Sequence, residues 1–376
     1  MKRRISPAPL KQWSEILTII SGKNQKNVKS DTGQYPIYGS GGIIGYATEY
    51  LCEAGTTIVG RKGTIDKPIF VNERFWNVDT AFGISPSDVL DAKYLYYFCR
   101  QFNFKKLDKS TTIPSLAKRD LLQIKMPVLS IMEQRRIVSR IEELFSKLDK
   151  GVETLQTIKQ QLAVYRQAVL TEAFEGIENT VELGSIASIV DPHPSHRTPV
   201  EVIGGVPYIG VGDIDYVHHV IDFSSARKVS NDILQDHLSR YTLHDGDFIM
   251  GKIGTIGKPF IIALPQNYTL SANVILIQPN KKVVIPKYLF WQVSSSQITK
   301  QLLEGSTSTT QPAFGIKKAR LLSIKICSLE EQNRIVQKIE SHLSLCDDIG
   351  QSVTAALSQA EAMRQSILKQ AFEGKL

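Results

Sequence analysis

Residues 133–176 and 331–374 are two copies of one segment, and that repeat limits the possible architectures more than any other feature of the chain. EQRRIVSRIEELFSKLDKGVETLQTIKQQLAVYRQAVLTEAFEG returns 198 residues later as EQNRIVQKIESHLSLCDDIGQSVTAALSQAEAMRQSILKQAFEG, with no gap in 44 residues. The Glu-Gln opening, the Arg-Ile-Val that follows and the Ala-Phe-Glu-Gly close match best. A repeat this long makes the chain a tandem of similar parts. Apolar residues recur at spacings of 3 and 4: Val138, Ile141, Phe145, Leu148, Val152, Leu155 and Leu162, then Val336, Ile339, Leu343, Cys346, Val353, Leu357 and Ala360. That alternation is the seam of a coiled coil. Neither copy contains Pro, and each ends at Gly, a favoured helix stop. Some 40 helical residues would span ~60 Å at ~1.5 Å per residue. A helix of that length cannot bury its stripe alone. Lys159 breaks the first stripe where the second has Leu357, and Gly350 leaves a gap opposite Val152 in the alignment. Such complementary breaks favour two helices packed on each other within one chain over two helices that each lie on their own domain. Gly151 and Gly350 each cost ~1 kcal/mol in a helix interior, which allows a bend near the middle.

The segments between the helices repeat more loosely. GRKGTIDKP at 60–68 matches GKIGTIGKP at 251–259 at an offset of 191, TAFGISP parallels SANVILIQP, and AKYLYYFC parallels PKYLFWQV. Polar loops follow in both, KSTTIPSL and GSTSTTQPAF, and then LLQIKM and LLSIKI. Short β-prone runs punctuated by Gly, Pro and Asn predict mainly β or mixed domains, with one helix at Asp91–Phe102 and a last strand at 121–128. The fold class is therefore α+β. The expected divisions are a first domain at 1–130, a helix at 131–176, a second domain at 177–328 and a second helix at 329–376.

The formal charge of +8 becomes informative once it is divided along these lines. Residues 1–130 hold 19 Lys and Arg against 11 Asp and Glu; the first helix region balances 7 against 7; residues 177–328 carry 14 against 12 and 329–376 carry 5 against 7. The positive excess sits on the domains and not on the helices, which favours a polyanionic partner such as nucleic acid. No apolar run reaches the ~18–20 residues of a membrane span. The basic N-terminus lacks the apolar stretch of a signal peptide, so a cytoplasmic protein without a membrane role is expected. Cys52, Cys99, Cys327 and Cys346 are too scattered for a disulfide framework or a zinc site and read as reduced thiols.

Catalytic signatures are absent. The Gly-rich segments fail the phosphate-loop spacing G-x-x-x-x-G-K-[ST], because five residues separate Gly251 from Gly257 and Pro259 takes the hydroxyl position. They read instead as β-turns that present Arg61, Lys62, Lys252 and Lys258. His193, His196, His218 and His219 have no carboxylate or thiol at ligand spacing, so no metal is expected and they read as surface loop residues. No nucleophile elbow and no metalloprotease signature occurs.

The order domain–helix–domain–helix, with EQxRIVxxIE opening and AFEG closing each helix, resembles the specificity subunit of type I restriction–modification systems. YPIYGSGGIIGY with VGRKGTI, FWNVDTAF and KYLYYF resembles one version of its target recognition domain, and GGVPYIGVGDI with GKIGTIGKP and KYLFW resembles another. The likeness spans essentially the whole chain. It implies two target recognition domains alternating with two long helices that pair as an antiparallel intramolecular coiled coil. It also implies a non-catalytic, DNA-reading subunit: each domain reads half of a split target on double-stranded DNA, and the helices set the spacer. Two modification subunits would bring S-adenosylmethionine and the methyltransferase chemistry, and restriction subunits would bring ATP and Mg, with no cofactor in this chain. Expected DNA contacts are Tyr38, Ser40, Arg61, Lys62 and Thr64 in the first domain, and Lys252, Thr255, Ser271, Asn273, Ser306 and Thr307 in the second. The helix ends, Glu133, Gln134, Phe174, Glu331, Gln332 and Phe372, are expected to face partner subunits.

Overall fold

A computed structural model describes residues 9–195, 197–216, 218–253, 256–304 and 314–376. It divides into two compact units, Met1–Thr157 with Val353–Leu376, and Ile158–Ser352. Each unit takes one globular domain together with part of both long helices.

In the first unit a four-stranded sheet runs in the order Leu17–Ser21, Ala81–Pro86, Thr56–Gly60, Ile69–Val71, all antiparallel. A three-stranded sheet joins Gly42–Ala47 antiparallel to Tyr35–Gly39, which pairs parallel with Trp76–Asn77. A short pair, Leu10–Gln12 with Lys125–Pro127, ties the start of the domain to its end. The helix expected at Asp91–Phe102 forms over Ala92–Gln101, with the Asp91 carboxylate as its N-cap, accepting from the backbone N–H of Lys93 and Tyr94. Expected strand 121–128 is shorter: Lys118–Leu122 is a helical turn and only Lys125–Pro127 is extended. Leu121 is buried in that turn, so the apolar pair signalled burial without specifying the backbone state.

The second unit repeats the plan. Its four-stranded sheet runs Ala187–Val190, Val274–Pro279, Phe248–Gly251, Pro259–Ile261, and its three-stranded sheet runs Lys228–Val229, Val206–Ile209, Thr269–Leu270. It adds a short hairpin, Ile214–Asp215 with Val220–Ile221, and the helices Asn231–Arg240 and Ser296–Glu304.

The long helices cover Ile131–Ala173 and Leu329–Phe372 without a break, and Gly151 and Gly350 lie inside them. Each begins two residues before its Glu-Gln pair because of a serine. The Ser130 hydroxyl accepts from Glu133 N–H at 3.3 Å, and Ser328 accepts from Glu331 N–H at 3.2 Å, the geometry of an N-cap. Gly176 and Gly374 take positive φ, +73° and +71°, just past the helix ends.

The helices pair antiparallel within each unit. In the second unit Tyr165 meets His342 at 2.8 Å, Glu172 meets Lys338 at 2.9 Å, and Arg166 bonds Asp347. In the first unit Arg364 bonds Asp149 and lies 5.3 Å from the Phe145 ring centroid. Advance along one helix is retreat along the other. The predicted stripe is buried where it meets a domain, at Val138, Ile141, Phe145, Val336, Ile339 and Leu343, and half-buried at Leu148, Val152, Leu155 and Leu162. Cys346 is buried in the same stripe.

Both units use the same docking chemistry between domain and helix. Tyr94 donates to Pro127 O at 3.1 Å and packs 4.9 Å from Phe372; Tyr288 donates to Lys325 O at 3.0 Å and packs 5.4 Å from Phe174. Lys93 pairs with Glu142 and Lys287 with Glu340, each at 2.7 Å. The repeated Lys-Tyr-Leu thus grips the start of one long helix and the end of the other.

Candidate nucleic-acid interface

Gly60 closes the strand Thr56–Gly60, and the next four residues form a tight cationic loop. A Cβ on Gly60 would stand 2.0 Å from Thr64 O, so only glycine lets the chain turn back on itself there, and Gly63 has φ +84°. Arg61 and Lys62 donate their backbone N–H to Thr80 O at 2.8 and 3.2 Å, and the Arg61 guanidinium donates to Asp79 O at 3.2 Å. The polar loop after residue 105 locks onto the same turn: Gly63 N–H reaches Pro114 O at 2.9 Å, and Leu116 N–H reaches Arg61 O at 2.8 Å. Asp108 shapes that loop by accepting from Ser110 and from Ser115 N–H, and these bonds hold its carboxyl below the usual carboxylate range.

Ser40 belongs to this cluster. Its Oγ is 3.5 Å from where a Cβ on Gly63 would stand. Ser40, Arg61 and Thr64 are half-buried and Lys62 is exposed, so the structure brings four of the five first-domain candidates to one rim. Tyr38 lies one step inward. It packs edge-on to Phe75 at 5.4 Å, and burial first, then the charge of Glu73, pushes its hydroxyl pKa up. A neutral phenol remains available as a hydrogen-bond donor.

The second domain keeps the backbone plan and changes the side chains. Phe314 N–H donates to Lys252 O at 2.8 Å, as Leu116 N–H does to Arg61 O, and Lys252 N–H donates to Asn273 O at 2.9 Å. The Lys252 side chain is only 5% exposed and pairs with Asp191 at 2.9 Å. It is spent inside the domain, which corrects the expectation that this lysine contacts DNA. Ser271 is also buried: its hydroxyl bonds Asn273 Oδ1, and its N–H donates to Ile209 O at 2.8 Å. Ser271 and Asn273 form a polar turn packed on Gly210, where a Cβ would meet both side chains at 2.7 Å. Asn273 is half-buried. Lys258 is the exposed cation of this segment, with Nζ 5.6 Å from the Tyr216 ring centroid. Thr255, Ser306 and Thr307, like His196, lie outside the described residues.

The glutamines of the helix starts have a different role from the expected one. Gln134 is fully buried; its Oε1 accepts Asp91 N–H at 2.8 Å, and its Nε2 donates to Val89 O at 2.9 Å and Leu129 O at 2.8 Å. Gln332 repeats the clamp on Ile285 N–H, Val283 O and Cys327 O at 2.8, 3.2 and 2.9 Å. A side chain with every arm occupied inside its own unit cannot present itself to a partner. Phe174 is 3% exposed and Phe372 is half-buried against the tyrosines above, so they are core groups too. Glu133 and Glu331 are half-exposed at the surface, each bridging to an arginine three residues on.

His193 is buried, not on the surface, and belongs to a network the spacing did not reveal. Its Nδ1 is 3.0 Å from His237 Nε2, its Nε2 is 2.9 Å from Arg197 O, and His237 Nδ1 meets the Thr269 hydroxyl. A carbonyl accepts only, so His193 carries its proton on Nε2. His237 then donates from Nε2 to His193 Nδ1 and accepts from Thr269. The His237 ring is neutral in this scheme. Burial pushes His237 down to about 4, with His193 adding to the shift. His218 and His219 are exposed, as expected. No group of three or more His, Cys, Asp or Glu fit to hold a metal occurs among the described residues. No helix among them is long and apolar enough to cross a membrane.

Comparison with known proteins agrees with this architecture. The family model for the type I restriction modification DNA specificity domain matches residues 10–163 and again 178–359. The EcoBI type I restriction enzyme specificity subunit of Escherichia coli is 26% identical over 294 residues, covering 71% of this chain and 61% of that protein's length. The EcoDI specificity subunit of Escherichia coli is 22% identical, covering 97% of this chain and 88% of the relative. A solved structure described under complex assembly and conformational transition of the type I R-M system superposes with TM-score 0.73 at 15% identity, covering 99% of this chain and 100% of that one. At that identity the likeness speaks for the fold.

Proposed function

The chain belongs to the type I restriction–modification DNA specificity family, and from that premise we propose that it reads an asymmetric, bipartite DNA target without catalysing a reaction itself. The observation that carries this reading is a repeated backbone clasp: the hydrogen bond from Leu116 N–H to Arg61 O recurs as Phe314 N–H to Lys252 O, around different side chains. One scaffold used twice with different polar and charged groups reads two different half-sites. Exposed Lys62 and half-exposed Arg61 supply phosphate contacts in the first domain, and Lys258 does so in the second.

The long helices carry near-balanced charge and serve as the spacer between half-sites, with helix length as the variable. Two modification subunits dock on the assembled chain and supply methyl transfer with S-adenosylmethionine. Restriction subunits with ATP and Mg complete the nuclease. A cytoplasmic location, where cellular DNA is met, belongs to the same proposal. Glu133 and Glu331 remain accessible for contacts with these partners.

The direct test is methyl transfer from labelled S-adenosylmethionine to mixed-sequence DNA, with the purified chain alone and with modification subunits added. Transfer is expected only in the mixture, and transfer by the chain alone would overturn the non-catalytic reading. Gel shifts of the mixture at low and high salt test the phosphate contacts, with affinity expected to fall steeply as salt rises.

A further inference from the structure

In the first domain the hairpin Tyr35–Gly39/Gly42–Ala47 carries an irregularity that sets two successive side chains outward. Ile37 pairs with Gly45 and Tyr38 with Ile43, so Ile44 is the extra residue of a β-bulge. A regular strand alternates its side chains between faces; a bulge sets two residues against one and re-aims them. Here Ile43 is 53% exposed and Ile44 48% exposed, and Tyr46 beyond them is 49% exposed. Beneath the tip the hairpin is rigidly held: Ile37 and Ala47 are fully buried with Val28, Trp76 and Val78, and Trp76 donates to Lys23 O at 3.1 Å.

The exposed apolar tip is contiguous with the cationic turn. A Cβ on Gly39 would touch Ile44 and Thr80 at 3.8 Å each, and Thr80 O is the acceptor for Arg61 and Lys62 N–H. Lys29 lies across Gly45, its Cε 3.2 Å from where a Cβ would stand. Cations therefore flank the isoleucines at the tip and along its edge. Among the described residues the second domain shows no such bulged hairpin tip: Val206–Ile209 pairs antiparallel with Lys228–Val229, a strand distant in sequence, and parallel with Thr269–Leu270.

We propose that this bulged tip is a base-reading element of the first domain, which enters the DNA major groove as a two-stranded ribbon and sets Ile43 and Ile44 against thymine methyl groups. The occupant follows from charge and shape together. Flanking Lys29, Arg61 and Lys62 match phosphates on either side, and a major groove of about 12 Å admits a two-stranded ribbon where a minor groove of about 6 Å does not. The thymine C5-methyl is the apolar group displayed there. The proposal rests on the DNA-reading function above and deepens it by assigning one specificity determinant to one half-site.

The test uses the chain assembled with its modification subunits, the methylated motif being read from treated DNA for the parent and for Ile43→Ser/Ile44→Ser. The expected result is about ten-fold weaker discrimination at one or two positions of a single half-site, the other half unchanged. Replacing thymine by deoxyuridine at those positions should slow the parent about ten-fold and leave the double variant unaffected. An unchanged motif in the variant would overturn the proposal, as would a parent indifferent to deoxyuridine throughout that half-site. Loss of modification-subunit binding by the variant on gel filtration would also overturn it, since the tip would then be a protein-docking surface. If the parent itself gave no split motif, the broader DNA-reading function would fail instead. Because both side chains are exposed, the variant should retain the parent's thermal unfolding, and Ile43→Val/Ile44→Val should keep parental discrimination within about three-fold.

Discussion

Gln134→Leu should loosen the first unit and spare the second. The substitution keeps the volume of the side chain and deletes three hydrogen bonds, those to Asp91 N–H, Val89 O and Leu129 O. Each buried polar group left without a partner costs about 1–3 kcal/mol. Three groups at the low end of that range give about 3 kcal/mol, or roughly a 100-fold rise in the population of open states. A two-unit chain need not unfold in one step, so global melting is a poor readout. Hydrogen exchange resolves the units: peptides covering 81–100 should lose about two orders of magnitude of protection while those covering 275–293 stay as they were. Gln332→Leu should give the mirror result. A change under about three-fold, or equal loss in both units, would refute the clamp. If modification subunits were lost with exchange protection intact, the glutamine would be a partner contact after all.

Other outcomes follow from the same geometry. Lys252→Met breaks a buried pair with Asp191 and should destabilise the second unit by about 3 kcal/mol in denaturant, whereas Lys62→Ala should leave stability within about 0.5 kcal/mol and lower the salt slope of DNA binding by about 1. The His237 ring binds a proton near pH 6.5 when unfolded and only at about 4 when folded. The unfolded state therefore holds more protons between those values, and stability should fall as pH drops through that window by up to about 3 kcal/mol. His237→Gln should flatten this dependence in a stability–pH series. An added heptad in both long helices should lengthen the spacer of the methylated motif with the half-sites kept, while an added heptad in only one should abolish assembly by breaking register.

The sequence made the large features legible because repetition and periodicity are properties of the chain itself. The 3–4 spacing marked the stripe from Val138 to Leu162, and the aligned GRKGT and GKIGT segments begin at Gly60 and Gly251, which the structure places at equivalent strand ends. Exposure was not legible. Arg61 and Lys252 align, yet one faces the rim and the other is drawn inward by Asp191, sixty-one residues upstream. Gln134 looked like a surface residue of a polar helix start, because its three partners are backbone groups that leave no trace in residue identity. The Ser-x-x-Glu spacing at 130 and 328 is a helix-start signal carried by the residues themselves, and the long helices begin directly after those serines. His193 and His237 lie 44 residues apart and meet only through tertiary packing. The bulge at Ile44 depends on register, which GSGG between two β-prone runs suggests as a hairpin but does not fix.

Base-resolved methylation sequencing of DNA from cells that express this chain together with its modification subunits tests the central claim most directly. The account predicts one asymmetric motif of two unlike half-sites separated by an unspecified spacer of fixed length. A continuous motif, a palindrome of identical halves, or an identical pattern when this chain is omitted would contradict it.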